Sequence, residues 1–227
     1  MAQKKVNAVI HSQEKLAEGI YSMWLDAPEM AEVAVPGQFI AVYTNDPSKL
    51  LPRPISICEA DKENGRLRIV YRIAGAGTKE FSECKAGDTL DIMGPLGNGF
   101  PLKKKKAFLI GGGIGIPPML ELAKNLDCEK TAVIGYRDKE TFLADELRKY
   151  ADVVIATEDG SVGTKGNVID AIRAEKLTAD IIYACGPTPM LKALKTYAME
   201  NGIECYISLE EKMACGIGAC LGCVCHS

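Results

Sequence analysis

The chain has 227 residues, carries 27 Lys+Arg against 30 Asp+Glu for a net charge of −3, and is 47% hydrophobic and 25% charged. That is the balance of a globular protein of one large or two small domains, able to bury about 70% of its extended surface. The charge excludes a nucleic-acid or anionic-membrane surface, no apolar stretch approaches ~18 residues, and the opening MAQKKVNAVIHSQ is too polar for a signal peptide, so membrane, secreted, collagenous and disordered classes are set aside.

Through residue 100, six β-branched or aromatic runs at 6–11, 20–25, 38–43, 55–58, 67–73 and 89–93 alternate with punctuators such as Pro36-Gly37, Asn64-Gly65 and Gly94-Pro95. Their spacing predicts a small antiparallel barrel or sandwich. One helix is predicted over 78–84, after Gly75-Ala76-Gly77. From Lys106 the rhythm changes. Strands at 107–110, 131–135, 153–157, 181–185 and 203–207 alternate with helices at 117–125, 141–150, 167–175 and 188–200. That alternation predicts a parallel sheet covered on both faces. The expected fold class is β plus α/β: a barrel over 1–102, a nucleotide-binding α/β domain over 103–207, and a Cys-rich tail over 208–227. The run Lys103-Lys104-Lys105-Lys106 reads as a solvated lead into the first α/β strand, with anion steering as the alternative.

Nine cysteines, an odd count with no secretion signal, point to a reducing cytoplasm rather than a disulfide framework. Five are scattered (Cys58, Cys84, Cys128, Cys185 and Cys205) and read as small buried hydrophobes. The other four, Cys215, Cys220, Cys223 and Cys225, fall within the last 13 residues. The run CGIGACLGC sets Cys215, Cys220 and Cys223 at the C-x₄-C-x₂-C spacing of plant-type [2Fe–2S] ligands, with Gly and Ala between them for a loop to wrap a cluster. A zinc knuckle is the rival, since C-x₂-C also suits zinc.

Three further motifs lie at strand ends. Gly111-Gly112-Gly113-Ile114-Gly115, followed by Ile116-Pro117-Pro118, sits between a strand and a helix, where glycines let backbone N–H groups approach a phosphate. It does not meet G-x-G-x-x-G, because Ile116 holds the last position, so a tight turn is the alternative. Glu158-Asp159 closes the third α/β strand, placed to accept a ribose 2′-hydroxyl and repel a 2′-phosphate; an Asp-Gly turn explains it equally well. Cys185-Gly186-Pro187 closes the fourth. In the barrel, Arg53-Pro54-Ile55-Ser56 offers donors suited to a pyrophosphate, and Gly75-Ala76-Gly77-Thr78 opens a helix as a second anion nest.

In this order the motifs resemble the ferredoxin–NAD(P) reductase superfamily, over nearly the whole chain. With EKMACGIGACLGCVC following the nucleotide domain, the tail is most similar to that of the electron-transfer subunits of class B dihydroorotate dehydrogenases. The resemblance implies FAD in the barrel, held by Arg53, Pro54, Ile55, Ser56, Val70, Tyr71, Arg72, Gly77 and Thr78. It implies NAD on the α/β domain at Gly111, Gly112, Gly113, Gly115, Glu158, Asp159, Cys185 and Gly186, and a [2Fe–2S] cluster on Cys215, Cys220 and Cys223. It also implies an FMN-containing catalytic partner that oxidises dihydroorotate, two copies of each subunit in a heterotetramer, and electrons passing through cluster and FAD to NAD⁺ in pyrimidine biosynthesis. In that family a fourth ligating Cys lies well downstream of the third. Here Cys225 is the only later cysteine, so either the chain is cut short of the family's tail, which is the expectation, or the cluster is incomplete. A related NAD(P)H-dependent ferredoxin or sulfur-substrate reductase, and a non-enzymatic zinc-tailed module, are the alternatives. No general acid or base is expected: the histidines, His11 and His226, lie at the extremities.

Overall fold

The computed structural model describes residues 4–46, 48–209, 213–220 and 223. The chain divides into two compact units, one of residues 1–99 together with those from 210 onward, the other of 100–209.

In the first unit β1 (Lys4–Ala17), β2 (Ile20–Asp26), β3 (Phe39–Val42), β4 (Arg53–Asp61), β5 (Arg66–Arg72) and β6 (Thr89–Leu96) close into a barrel in the order β1-β2-β5-β4-β3-β6. Neighbours pair antiparallel throughout. Every predicted barrel run falls on one of these strands to within one residue at either end. Side chains alternate: on β6, Leu90 and Ile92 are buried while Asp91 and Met93 are half-exposed. Ile10, Met23, Leu25, Ile40, Ile57, Leu67 and Ile69 complete the interior, each contributing about 1.5–3 kcal/mol by leaving water. Two short helices, α1 (Pro28–Val33) and α2 (Ala76–Glu83), add Met30, Ala31 and Phe81 to the same core. β1 is longer than its sequence signal: a register shift between Ile10 and Ser12 carries it through the polar residues to Ala17.

In the second unit β7 (Ala107–Gly112), β8 (Lys130–Tyr136), β9 (Asp152–Thr157), β10 (Thr164–Lys165), β11 (Ile181–Cys185) and β12 (Glu204–Ser208) form a parallel sheet in the order β10-β9-β8-β7-β11-β12. The helices are α3 (Pro117–Asn125), α4 (Ala144–Leu147), α5 (Val168–Ala174) and α6 (Thr188–Asn201). Every residue of β7 and β11 is buried, as central strands covered on both faces must be. The chain steps outward from β7 through β8, β9 and β10, then returns to the other side of β7 for β11 and β12. The strand order therefore reverses between β7 and β11, whose carboxyl ends border the crevice where open parallel sheets take ligands. The helix expected over 141–150 is only the single turn of α4. Leu143 stands before it at φ 63°, and the Tyr136 hydroxyl donates to the Phe142 carbonyl at 2.6 Å, holding the preceding residues out of the helix.

Candidate functional site

In the barrel unit, β4 opens with Arg53 opposite Val42 and carries Ser56 opposite Phe39. Arg53 and Ser56 are half-buried, Pro54 is exposed and Ile55 is in the core. Arg53 lies directly on the first turn of α2: a Cβ at Gly77 would stand 2.2 Å from Arg53 Nε and 2.6 Å from its Cζ. Only glycine lets the guanidinium rest there. It also donates to the Leu51 carbonyl at 2.5 Å. Thr78 Oγ1 accepts from the N–H groups of Ala74 (2.8 Å) and Gly75 (3.2 Å), drawing the loop tight against the turn. The first N–H groups of α2 have no acceptor within the helix. A guanidinium laid across such a turn is a donor set for a diphosphate.

On β5, Val70 and Tyr71 are buried and Arg72 is exposed. The Tyr71 side chain turns into the barrel. Its ring stacks on Tyr21 at 6.0 Å and meets Phe81 edge-on at 6.1 Å, and its hydroxyl donates to Gln13 Oε1 at 2.8 Å. What Tyr71 can present directly to a ligand is its backbone. Gln13 carried no sequence signal: it is a lone amide in a polar stretch.

In the sheet unit, Gly111 pairs with Cys185 across β7 and β11. The glycines between β7 and α3 divide by purpose. A Cβ at Gly111 would meet Ile116 Cα at 2.8 Å, one at Gly112 would meet Met190 Sδ at 2.7 Å, and one at Gly115 would meet the Cys185 carbonyl oxygen at 2.2 Å. These three let the loop pack on itself and on the 185–187 turn. Gly113, at φ 53°, faces open space within 4 Å, so its surroundings are free for a ligand. Gly186 completes the contact, with Met190 Cε 2.6 Å from its own missing Cβ. Met190, absent from the expected set, thus touches both turns.

Glu158 and Asp159 are both exposed just past β9. Asp159 is committed locally: its carboxylate accepts from Ser161 N–H at 2.9 Å, and the Ser161 hydroxyl and amide hold it below the usual carboxylate range. The lysine run lies before β7, at the amino end of the sheet, where all four ammonium groups are paired with three carboxylates. Lys103 and Lys105 pair with Glu204, Lys104 with Asp127 at 2.9 Å, and Lys106 with Glu129 at 2.6 Å. Paired in this way, the run is the solvated lead-in rather than an anion funnel.

The described part of the Cys-rich loop belongs to the barrel unit. Gly216 (φ 68°) rests on β6, where a Cβ would meet Leu96 Cδ1 at 3.2 Å and Met93 Cε at 3.9 Å, and Gly218 (φ 77°) turns the chain again. The turn brings the Cys220 N–H to Cys215 Sγ at 3.4 Å. That amide first, then the Ile217 amide, lower the Cys215 thiol to about 6, toward the thiolate a metal needs. By contrast, burial raises the thiols of Cys84, Cys128 and Cys205. Among the described residues no three ligating side chains close on a common point. The donor set still fits an iron–sulfur group: three thiols, a loop turned by glycines, and an amide N–H already aimed at sulfur.

The oxidoreductase FAD-binding domain family matches residues 7–100. The chain is 44% identical to the dihydroorotate dehydrogenase B (NAD(+)) electron transfer subunit of Geobacillus sp. (strain WCH70), over 100% of this chain and 90% of that protein. It is 46% identical to the subunit of the same name from Streptococcus mutans serotype c (strain ATCC 700610 / UA159), over 98% and 88%. Among solved structures, an NADH-dependent reduced ferredoxin-NADP oxidoreductase, described for flavin-based electron bifurcation, superposes with a TM-score of 0.88 at 32% identity, over 95% of this chain and 80% of that one.

Proposed function

Since the chain belongs to the family of dihydroorotate dehydrogenase B electron-transfer subunits, we propose that Arg53, Ser56 and the first turn of α2 hold FAD, that the turns at 111–115 and 185–186 with Glu158 hold NAD, and that Cys215, Cys220 and Cys223 ligate the [2Fe–2S] cluster. The chain is a flavin oxidoreductase subunit. It carries electrons from a catalytic partner that oxidises dihydroorotate to NAD⁺, in pyrimidine biosynthesis. When bound, FAD couples single-electron to hydride transfer and the cluster carries single electrons.

The residues bind and orient. Arg53 supplies charge and α2 supplies N–H groups to the flavin diphosphate. The backbone of β5 at 70–72 lines the flavin, with Arg72 at its exposed end. Gly113 leaves room for the nucleotide's diphosphate beside the amino end of α3. Glu158 accepts from the ribose and disfavours a 2′-phosphate by like charge. Cys185, at the carboxyl end of β11, bounds the crevice where the nicotinamide is to lie. No side chain is assigned a proton-transfer role.

The partner is a catalytic subunit carrying FMN, in a complex of two copies of each chain. The family name, an electron-transfer subunit, supports a partner. A cytoplasmic setting is supported by the relatives, which are subunits of a metabolic dehydrogenase. No described helix is long and apolar enough to cross a membrane.

The observation that carries the reading is Arg53 lying on Gly77. It joins two motifs 24 positions apart into one cationic cradle inside the family's FAD-binding domain. Arg53→Ala is expected to purify with substoichiometric FAD and an unchanged fold by circular dichroism. Full flavin content and affinity would remove Arg53 from the site.

A further inference from the structure

Gln13 lies on β1, outside every motif considered so far, yet it joins three parts of the barrel. Its amide nitrogen stands 2.8 Å from the Cys84 carbonyl, 3.1 Å from that of Phe81 and 3.3 Å from that of Ser82, so two N–H groups serve three carbonyls at the end of α2. Its oxygen accepts from the Tyr71 hydroxyl at 2.8 Å. Burial raises the Tyr71 phenol above its ordinary value, so it stays a donor and fixes which way the amide faces.

On the reading that α2 and Arg53 meet the flavin diphosphate, we infer that Gln13, oriented by Tyr71, is the positioning residue that sets the angle of α2 and so the placement of its first turn. An eight-residue helix has no stability of its own. α2 is held to the barrel by Phe81, fully buried, by Glu80, which accepts from the Asn45 N–H at 2.6 Å and from Lys49 at 3.2 Å, and at its carboxyl end by Gln13. Without the hold at its carboxyl end the helix tilts about Phe81 and Glu80. Gly77, four residues and about 6 Å up the axis, then moves by about 0.5 Å for each 5° of tilt. The guanidinium rests on Gly77, so a tilt of α2 displaces the two donor groups relative to each other, and charge-assisted hydrogen bonds to an anion weaken steeply with distance. The position needs an amide. A carboxylate of the same length cannot donate to carbonyls, and an apolar side chain leaves the Tyr71 hydroxyl and the helix end without their partner.

The test uses the full chain, stripped of FAD and titrated with FAD by fluorescence quenching, as wild type, Gln13→Glu, Arg53→Ala and the double variant, with ³¹P spectra of bound FAD. Gln13→Glu is expected to weaken FAD binding about tenfold and to shift the diphosphate resonances. The loss should shrink in the Arg53→Ala background, because Arg53 and the first turn of α2 share one ligand. An equal loss in both backgrounds, or unshifted resonances, shows a merely structural role and overturns the inference. If Arg53→Ala itself binds FAD as wild type does, the diphosphate reading fails first and the role of Gln13 falls with it. Should Gln13→Glu not fold, Gln13→Asn, which keeps the amide but shortens its reach, is put through the same measurements with the same expectations.

Discussion

Replacing Gly77 by alanine sets a methyl carbon 2.2 Å from Arg53 Nε, 2.6 Å from Cζ and 2.9 Å from Cδ. Ordinary carbon contacts begin near 3.4 Å, so the guanidinium stem must withdraw by roughly 1 Å. The arginine is flexible and half-exposed, so the barrel survives. Alanine is also the better helix former by up to about 1 kcal/mol, and the melting temperature of the apoprotein should hold or rise slightly. The damage falls on the ligand. A charged hydrogen bond contributes about 1.5–3 kcal/mol, which is roughly a ten- to 150-fold change in affinity. Titrating the FAD-free protein by fluorescence quenching should show the dissociation constant raised within that range. Gly77→Ala combined with Arg53→Ala should be no worse than Arg53→Ala alone. Binding of FAD within twofold of wild type by folded Gly77→Ala would refute the cradle.

Wild type should reduce its flavin with NADH in preference to NADPH, and Glu158→Gln should narrow the ratio of kcat/KM values; NADPH serving as well as NADH sinks the assignment of Glu158. Cys215→Ala should abolish the cluster's paramagnetic signal while FAD and its reduction by NADH remain, and wild-type iron and acid-labile sulfide would disprove the ligand set. Gly216→Val, forced against Leu96 at a φ of 68°, should lower cluster occupancy without loss of FAD, as read by iron analysis. Glu204, held at about 2 by Lys103 first and then Lys105 against an ordinary 4.5, favours the folded sheet unit above pH 4.5. That contribution should be lost as pH falls from 4.5 toward 2, and Glu204→Gln should flatten the acid limb of a calorimetric melting series.

The strand pattern of both units was legible because period-two runs in the barrel and continuous apolar runs in the sheet each reflect burial. What failed to show were elements made by tertiary contact. α1 is too short to carry a periodicity, and β1 continues through residues 12–17 because β2 pairs with them, not because they are apolar. The residues before α4 lose their helix to the Tyr136 hydroxyl, seven residues back from the cap at Leu143. At the site, the sequence supplied the glycines but not their purposes. Gly112 and Gly115 face Met190 and Cys185, more than 65 positions away, and no local signal separates a packing glycine from one left open for a ligand. Gln13 is the extreme case: its importance lies wholly in three carbonyls some 70 residues distant.

The central claim is that this chain carries electrons from dihydroorotate oxidation to NAD⁺. Its direct test is to assemble the chain with an FMN-containing dihydroorotate-oxidising subunit under exclusion of oxygen, add dihydroorotate and NAD⁺, and follow orotate and NADH together. The account predicts equal amounts of both products, with NADH formation lost in Cys215→Ala although that variant still exchanges hydride between NADH and FAD. Orotate formed without NADH in a complex that contains the wild-type chain, or NADH yield unchanged in Cys215→Ala, would contradict it.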